Sequence, residues 1–341
     1  MEAIHEERVT AWFTENIEGV RPPLRFELIA GGRSNLTFRV TDASGQRFAL
    51  RRPPLSHVLP TAHDMAREHR VIAALGPTSV PVPPALGYCG DEAVNGQPFY
   101  VMGFVEGRVI RDAAAARSLD PASRRRAGLA LADVLVEIHA VDPDAVGLGD
   151  LGRREGYIQR QLRRWQEQFT RSQMLTRRPV PAMAEVHARL GRRVPPQGPP
   201  AIVHGDYRLD NALLDDTGEV LAVLDWEICT LGDPLADVGL LNVYWTEEGE
   251  DDLLLVEPPT QVPGFPSREE IMARYASGSG RDLGQLDFYV AFGYWKLACI
   301  LEGVYARYLG GAGGGDQSDF AGYADKVVTL AERALAVTEG L

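Results

Sequence analysis

Cysteine is scarce. Three residues in 341, Cys89, Cys229 and Cys299, stand far apart with no Cys-x-x-Cys pair. That argues against a disulfide framework or a cysteine-rich zinc site and fits a reducing cytoplasm. Positive charge is in deficit too: Lys and Arg total 35 against 47 Asp and Glu, a formal net charge of −12. A protein that holds duplex nucleic acid by neutralising phosphates needs the opposite balance, so no nucleic-acid partner is expected. The acidity suits a cationic substrate only weakly, since acidic surfaces commonly serve solubility. Long apolar runs are missing as well. The most apolar stretch, YVAFGYWKLACILEGVYARYL, contains Lys296, Glu302 and Arg307 and reads as a buried amphipathic helix rather than a membrane span. The opening MEAIHEERVTAWF is acidic and broken by charges, unlike a signal peptide. A cytoplasmic protein without a membrane partner or an evident obligate protein partner is expected. No internal repeat is visible, and LGGAGGGDQSD reads as a flexible loop.

The length suits two lobes with a sizeable core. Val9, Trp12, Phe13 and Ile17 recur at helical spacing. From Phe26 the pattern turns to short β-rich runs, FELIA, LTFRV, RFALR and later PFYVMGF. Asp42–Gln46 reads as a hairpin turn, and the Asn-Gly of Val94–Gln97 as a second hairpin signal. One helix, TAHDMAREHRVIAAL, lies between them with Thr61 or Asp64 as N-cap, followed by a Pro-rich segment. After Gly107 the chain becomes helical: a helix with Leu131, Leu135 and Ile138 on one face, two Arg- and Gln-rich helices over 155–193, and four helical segments near the end. The expected fold class is α+β: a small antiparallel-sheet lobe over 1–104 and a larger, mainly helical lobe over 105–341.

The chemistry concentrates in IVHGDYRLDNALLDD, residues 202–216. Carboxylates beside buried strand ends are costly unless paired. NALLDDTGEVLAVLD reads as a hairpin turning at Asp215–Gly218, which returns Asp225 to the neighbourhood of Asn211. An Asn and an Asp at adjacent strand ends are hard oxygen ligands suited to Mg²⁺, which takes few protein ligands and completes its shell with phosphate and water. Asp206, five residues before Asn211, then faces a nucleophile.

HGDYRLDN is His-x-Asp-x-x-x-x-Asn, the catalytic-loop pattern of the protein-kinase superfamily, and LDWE at 224–227 stands where that superfamily has its metal-binding Asp-Phe-Gly. The Gly after His204, the Trp after Asp225 and the following GDPLADVG resemble the aminoglycoside phosphotransferase and choline-kinase branch. GGRSNLTFRV, ALRRPP, HRVIAAL and ILEGVYARYLGG resemble, within it, the kinase-like domain fused to some acyl-CoA dehydrogenases. The resemblance covers about 25 to 310 and implies a two-lobed protein-kinase-like fold with ATP and Mg²⁺ between the lobes. It gives Asp206 the acceptor hydroxyl, Asn211 and Asp225 the metal, and His204 a bracing role. Asp237 is expected to hold the catalytic-loop backbone, and Asp233 to cap its helix.

The small lobe reads consistently with this. In RFALRR, Phe48 and Leu50 point one way, Ala49 and Arg51 the other, leaving room for a flat ring beside a phosphate-binding charge. Arg51 falls where the superfamily has a lysine; an arginine still holds α/β phosphates. Arg52, on the opposite face, is expected at the surface. Glu68 lies in an apolar stripe with Met65, Ile72 and Leu75, and a carboxylate there asks for a cation. The kinase pattern names Arg51. In GGRSNL, Gly31 and Gly32 permit close backbone approach while Ser34 and Asn35 supply donors, a phosphate-facing hairpin tip. The backbone near Met102, Gly103 and Phe104 stands where the family's hinge meets adenine. Arg208 either contacts the γ-phosphate or pairs with Asp210.

Three functions follow for comparison: an O-phosphotransferase acting on a small-molecule hydroxyl, a nucleotide-binding pseudokinase, and a protein kinase. The complete Asp206, Asn211 and Asp225 set disfavours the second. The third lacks an activation segment, because WEICTLGDP runs straight into a helix. The acceptor cleft is expected between segments 150–195 and 240–300. These carry the basic Arg153, Arg154, Arg160, Arg163 and Arg164 and the acidic run EEGEDD, read as a solvated loop.

Overall fold

The computed structural model describes residues 3–31, 35–54, 64–252, 257–310 and 321–341. The chain begins with α1 (Glu6–Asn16) and continues through β1 (Arg25–Gly31), β2 (Leu36–Thr41), β3 (Arg47–Arg52), α2 (Met65–Leu75), β4 (Ala85–Cys89), the short α3 (Glu92–Asn95) and β5 (Phe99–Gly103). These strands form one antiparallel sheet in the order β1-β2-β3-β5-β4. A helical lobe follows with α4 (Ala113–Arg117), α5 (Pro121–Ala140), α6 (Tyr157–Thr176) and α7 (Pro181–Arg192). Four short strands interrupt it: β6 (Ala201–Val203), β7 (Ala212–Leu214), β8 (Val220–Val223) and β9 (Thr230–Gly232). It closes with α8 (Leu235–Tyr244), α9 (Arg268–Ser279), α10 (Leu286–Leu309) and α11 (Ala321–Glu339). This is the expected α+β, two-lobed arrangement.

Alternation along β3 sorts the sheet's two faces. Phe48 and Leu50 pack with Val9 and Phe13 of α1 on the back. Ala49 joins Met65, Ile72 and Tyr100 on the front, in a core continuous with Val223 and Leu131 of the helical lobe. Asp42 organises the β2–β3 turn by accepting from the backbone N–H groups of Ser44 and Gln46. α2 starts at Asp64, whose side chain accepts from Arg67 N, while Thr61 lies outside the described residues. Gly32, Ser34 and all of LGGAGGGDQSD after its first two residues also lie outside them.

Several expectations fail for physical reasons. The Asn-Gly signal does not make a tight hairpin: Asp91 caps a helical turn that Asn95 and Gly96 end, so the β4–β5 connection is longer. β4, under the proline-rich segment, and β9, which pairs with β6, were not anticipated because each is too short or irregular to show alternation. Arg52 is not at the surface. It is 4% exposed and donates to the carbonyls of Ala3 and Pro53, so it ties the N-terminal segment to the sheet.

α10 forms the centre of the large lobe and is buried on nearly every side. No helix among the described residues is long and apolar enough to cross a membrane. α10 meets α8 through glycines: a Cβ on Gly239 would sit 2.5 Å from the carbonyl carbon and oxygen of Tyr289. Gly239→Ala is therefore expected to push α8 from α10 and cost about 1–3 kcal/mol, the usual penalty for overpacking. Urea denaturation reads this; an unchanged midpoint would contradict the packing described.

Candidate functional site

The loop after β6 is held by its backbone before any side chain acts. Asp237, in the first turn of α8, accepts from His204 N at 2.7 Å and Gly205 N at 2.8 Å. The Gly205 carbonyl receives the Lys296 ammonium of α10 at 2.7 Å. Gly205 has φ +88, and a Cβ there would also press on Ile228 at 3.0 Å, so glycine suits the position twice over. His204 is fully buried. Its Nε2 lies 2.9 Å from the Leu224 carbonyl and its Nδ1 accepts from Asp206 N at 3.2 Å. Both ring nitrogens are thus occupied in bracing the loop to the strand that delivers Asp225.

Asp206 is recessed, with 28% of its side chain open to solvent. Oδ2 accepts from Asn211 Nδ2 at 3.0 Å and Oδ1 from the Tyr244 hydroxyl at 3.1 Å. Burial pushes its carboxyl up, but Arg208, His204 and Lys296 and the Tyr244 hydroxyl outweigh that and hold it below the ordinary carboxylate value. Arg208 stands 3.4 Å from Asp206 and 3.2 Å from Asp210, with its guanidinium 4.9 Å over the Tyr244 ring. It is therefore paired with Asp210 in this structure.

The β7–β8 hairpin returns the chain as its sequence suggests. Leu224 N donates to the Asn211 carbonyl at 2.8 Å, setting Asn211 and Asp225 side by side. Asp225 adopts φ +65, a left-handed conformation that aspartate tolerates better than most residues. The Asn211 amide nitrogen is spent on Asp206, so its side-chain oxygen is the ligand-competent atom. Among the described residues no group of three or more His, Cys, Asp or Glu side chains forms a metal cluster. One amide oxygen and one carboxylate do fit Mg²⁺, which draws most of its shell from phosphate and water.

From the sheet lobe, Arg51 reaches both partners. Its Nε lies 3.2 Å from Glu68 Oε2 and its Nη2 donates to Asp225 Oδ1 at 2.5 Å, with Glu227 at 4.0 Å. Arg51 Nε, Glu68 Oε2 and Arg208 Nε are buried yet off hydrogen-bond geometry, so neither guanidinium is fully satisfied by its carboxylate neighbours. Burial drives Glu68 up to about 7 against the pull of Arg51, with Asp225 and Glu227 adding repulsion. Asn35 donates to Glu227 at 3.0 Å across the lobes, so it faces the same cleft. Gly31 ends β1 beside it. At the expected hinge, Met102 pairs with Ala49, and the Gly103 N–H is already committed to the Pro84 carbonyl. Any base-facing hydrogen bonds must therefore come from other groups beside Met102 and Phe104, and Phe104 itself carries Arg47 against its ring.

Asp233 behaves as expected, accepting from Leu235 N at the start of α8, and also from the Tyr289 hydroxyl. Four contributors were not read from the sequence: Tyr244, Lys296, Glu227 and Tyr100, which bonds to Glu68. Each is distant from its partner along the chain; the sole local signal was a lysine inside an apolar helix. A cavity of about 50 Å³ next to Arg208 and Asp210 is lined by Arg111, Tyr244, Trp245 and Pro259 among others, and by none of the residues from 150–195. Arg160 turns back to the carbonyls of Arg153 and Glu155, and Arg154 pairs with Asp144. The acidic run is not simply solvated: Glu247 and Glu250 converge on Arg268, and Asp251 on Arg333.

The chain is similar to known phosphotransferase-family proteins over most of its length. The profile of the phosphotransferase enzyme family (APH) matches residues 25–277. Acyl-CoA dehydrogenase family member 11 of Gallus gallus is 36% identical over 322 residues, covering 92% of this chain and 40% of that protein. The chain thus spans about two fifths of that relative's length. A solved Ralstonia eutropha chain, described as a "putative aminoglycoside phosphotransferase", is 33% identical, with 98% of both chains covered and a TM-score of 0.82. A spectinomycin phosphotransferase solved with ADP and spectinomycin shares the fold at TM-score 0.63 and 13% identity, with 99% of both chains covered.

The buried Glu68 generates a pH dependence. Its folded value, about 7, lies above the ordinary 4.5. A raised carboxyl stabilises the fold while protonated, so its contribution is full below about 4.5 and is lost as pH rises through about 7. Glu68→Gln is expected to flatten that part of the stability profile. Urea midpoints at pH 5 and pH 8 check it; an identical slope in both proteins would dissociate Glu68 from it.

Proposed function

Since the chain belongs to the phosphotransferase enzyme family, we propose that it is an ATP- and Mg²⁺-dependent O-phosphotransferase whose acceptor is the hydroxyl of a small molecule. The observation that carries this reading is the convergence of Asp206, Asn211, Asp225 and Arg51 on one cleft between the lobes. Phosphoryl transfer asks mainly for positioning and charge neutralisation, and this set supplies both. Asp206, kept ionised, accepts the hydrogen bond of the incoming hydroxyl, aligns its oxygen and finally takes its proton. Arg51 steadies the α/β phosphates, and the Arg208 guanidinium lies close enough to Asp206 to meet the transferring group. Asn211 Oδ1 and Asp225 would hold Mg²⁺, which when bound supplies neutralising charge to the phosphate oxygens.

A pseudokinase reading is disfavoured by the same completeness. Asp206→Asn is expected to leave Mg²⁺-ATP affinity within about threefold while lowering transfer by roughly two to four orders of magnitude. Asp225→Ala is expected to weaken Mg²⁺-dependent nucleotide binding instead. Titration calorimetry and ATP turnover separate the two; near-normal turnover by Asp206→Asn removes it from the reaction.

For the acceptor, the carboxylates near the cavity argue against polycationic aminoglycosides. Asp210 is paired with Arg208, Glu247 and Glu250 with Arg268, and Arg111 adds positive charge to the wall. A hydroxylated metabolite fits better, and the acyl-CoA dehydrogenase relatives make hydroxyacyl-CoA thioesters a first choice for testing. In an ATP-consumption screen over hydroxylated metabolites, hydroxyacyl-CoAs and aminoglycosides, the aminoglycosides are expected to be poor acceptors. A kcat/KM for kanamycin above roughly 10⁴ M⁻¹s⁻¹ would overturn that.

A further inference from the structure

Asp237 and Tyr244 are seven residues apart on α8, two helical turns, and so share one face. Asp237 fixes the backbone of the loop that carries Asp206; Tyr244 meets its carboxylate. We propose that Tyr244 is a positioning residue for the transfer: its hydroxyl fixes the orientation of the Asp206 carboxylate, and its ring fixes Arg208 beside it. The assignment rests on the phosphotransferase reading above.

The geometry is specific. A carboxylate held at one oxygen can still swivel. Here Oδ2 is taken by Asn211 at 3.0 Å and Oδ1 by Tyr244 at 3.1 Å, so the plane is set from both sides. Asn211 belongs to the short 3₁₀ turn after the loop and Tyr244 to the end of α8. Neither element alone determines the orientation. The Arg208 guanidinium lies 4.9 Å over the Tyr244 ring while facing both Asp206 and Asp210. Without the ring, one face of this cation would lose its wall and the side chain could turn wholly to Asp210. Tyr244 also lines the cavity that Arg208 and Asp210 border.

Charge supports the donor role. Burial and the Asp206 charge push the Tyr244 hydroxyl well above its ordinary value, so it stays protonated and donates. The groups facing Asp206 are Arg208, Asp210 and His204 on its own loop, Lys296 from α10 and Tyr244 from α8. Of these, Tyr244 supplies a neutral hydrogen bond. Removing its hydroxyl changes no formal charge, yet it removes a donor that favours the ionised carboxylate. With Oδ1 released the carboxylate can swivel, and the misaligned base should slow transfer without touching the nucleotide side.

The test uses the full chain with Tyr244→Phe, which keeps the ring, and Tyr244→Leu, which removes it. Carbon NMR of aspartate-labelled protein, with Asp206→Asn to assign the signal, follows the carboxyl directly and needs no acceptor. At a fixed pH of 8, Tyr244→Phe is expected to shift the Asp206 carboxyl carbon signal, because Oδ1 loses its hydrogen bond. It should also lower kcat for ATP turnover, with the best acceptor or with water, by roughly ten- to a hundredfold, and leave the Mg²⁺-ATP Kd within about twofold. Tyr244→Leu is expected to lower kcat further, through Arg208. An unmoved Asp206 carboxyl signal in Tyr244→Phe overturns the proposal. So does a shifted signal with unchanged kcat, or a loss expressed only as weaker ATP binding. A wild-type chain that binds no ATP defeats the phosphotransferase reading instead, while the NMR shift still decides whether Tyr244 holds Asp206.

Discussion

The site depends on one buried guanidinium. Arg51 stands between Glu68 of α2 and Asp225 after β8, with Glu227 nearby. Three carboxylates from two lobes would repel one another across the cleft, and Glu68, 1% exposed, has little water to screen it. The cation makes their approach tolerable and links the lobes at the point where phosphates are to lie. Arg51 also carries the compromise in its protonation: it is held more firmly charged by these neighbours, while burial pushes Glu68 the other way. A phosphate arriving there competes with Asp225 for the same N–H groups, so nucleotide and metal must rearrange one shared network rather than fill two independent sites.

For that network to persist, α2 cannot drift. Arg67 donates to the carbonyls of Leu151 at 2.6 Å and Cys229 at 2.8 Å, and Arg70 to the Gly147 carbonyl at 2.6 Å. The helix that carries Glu68 is thereby attached to the α5–α6 connection and to the segment that follows Asp225. Further contacts join the lobes elsewhere: Val223 N donates to the Pro81 carbonyl, and Asn35 reaches Glu227.

What the sequence made legible follows the range of each interaction. The Asp206-to-Asn211 spacing and the β7–β8 hairpin are local, so the juxtaposition of Asn211 and Asp225 could be read directly. The Arg51–Glu68 contact is not local: the alternation of β3 and the apolar stripe of α2 each assigned a face, and the kinase resemblance named the partner. Tyr244 and Glu227 were illegible because nothing in their own segments asks for a partner; they acquire meaning from α8 and the LDWE strand end meeting the site in space. Arg52 shows the opposite failure. Alternation placed it correctly on the far face, but the far face is covered by α1 and its N-terminal segment, so the residue is buried there. Asn95-Gly96 failed because Asp91, a strong N-cap, converts the same residues into the end of a helical turn.

The use of arginine where kinases keep lysine follows from the shape of this network. Nε addresses Glu68 while Nη2 addresses Asp225, two donors at different places on one planar group. A lysine ammonium carries all its donors on one nitrogen, so both carboxylates would have to converge on a single point. The fork lets Glu68 stay within the α2 stripe and Asp225 stay beside Asn211, each in the position its own strand or helix dictates. It also leaves Nε off hydrogen-bond geometry with Glu68, a donor not fully spent. An arginine is therefore more than a tolerated substitute in this cleft: with α2 anchored by Arg67 and Arg70, the reach between the lobes has to come from the side chain.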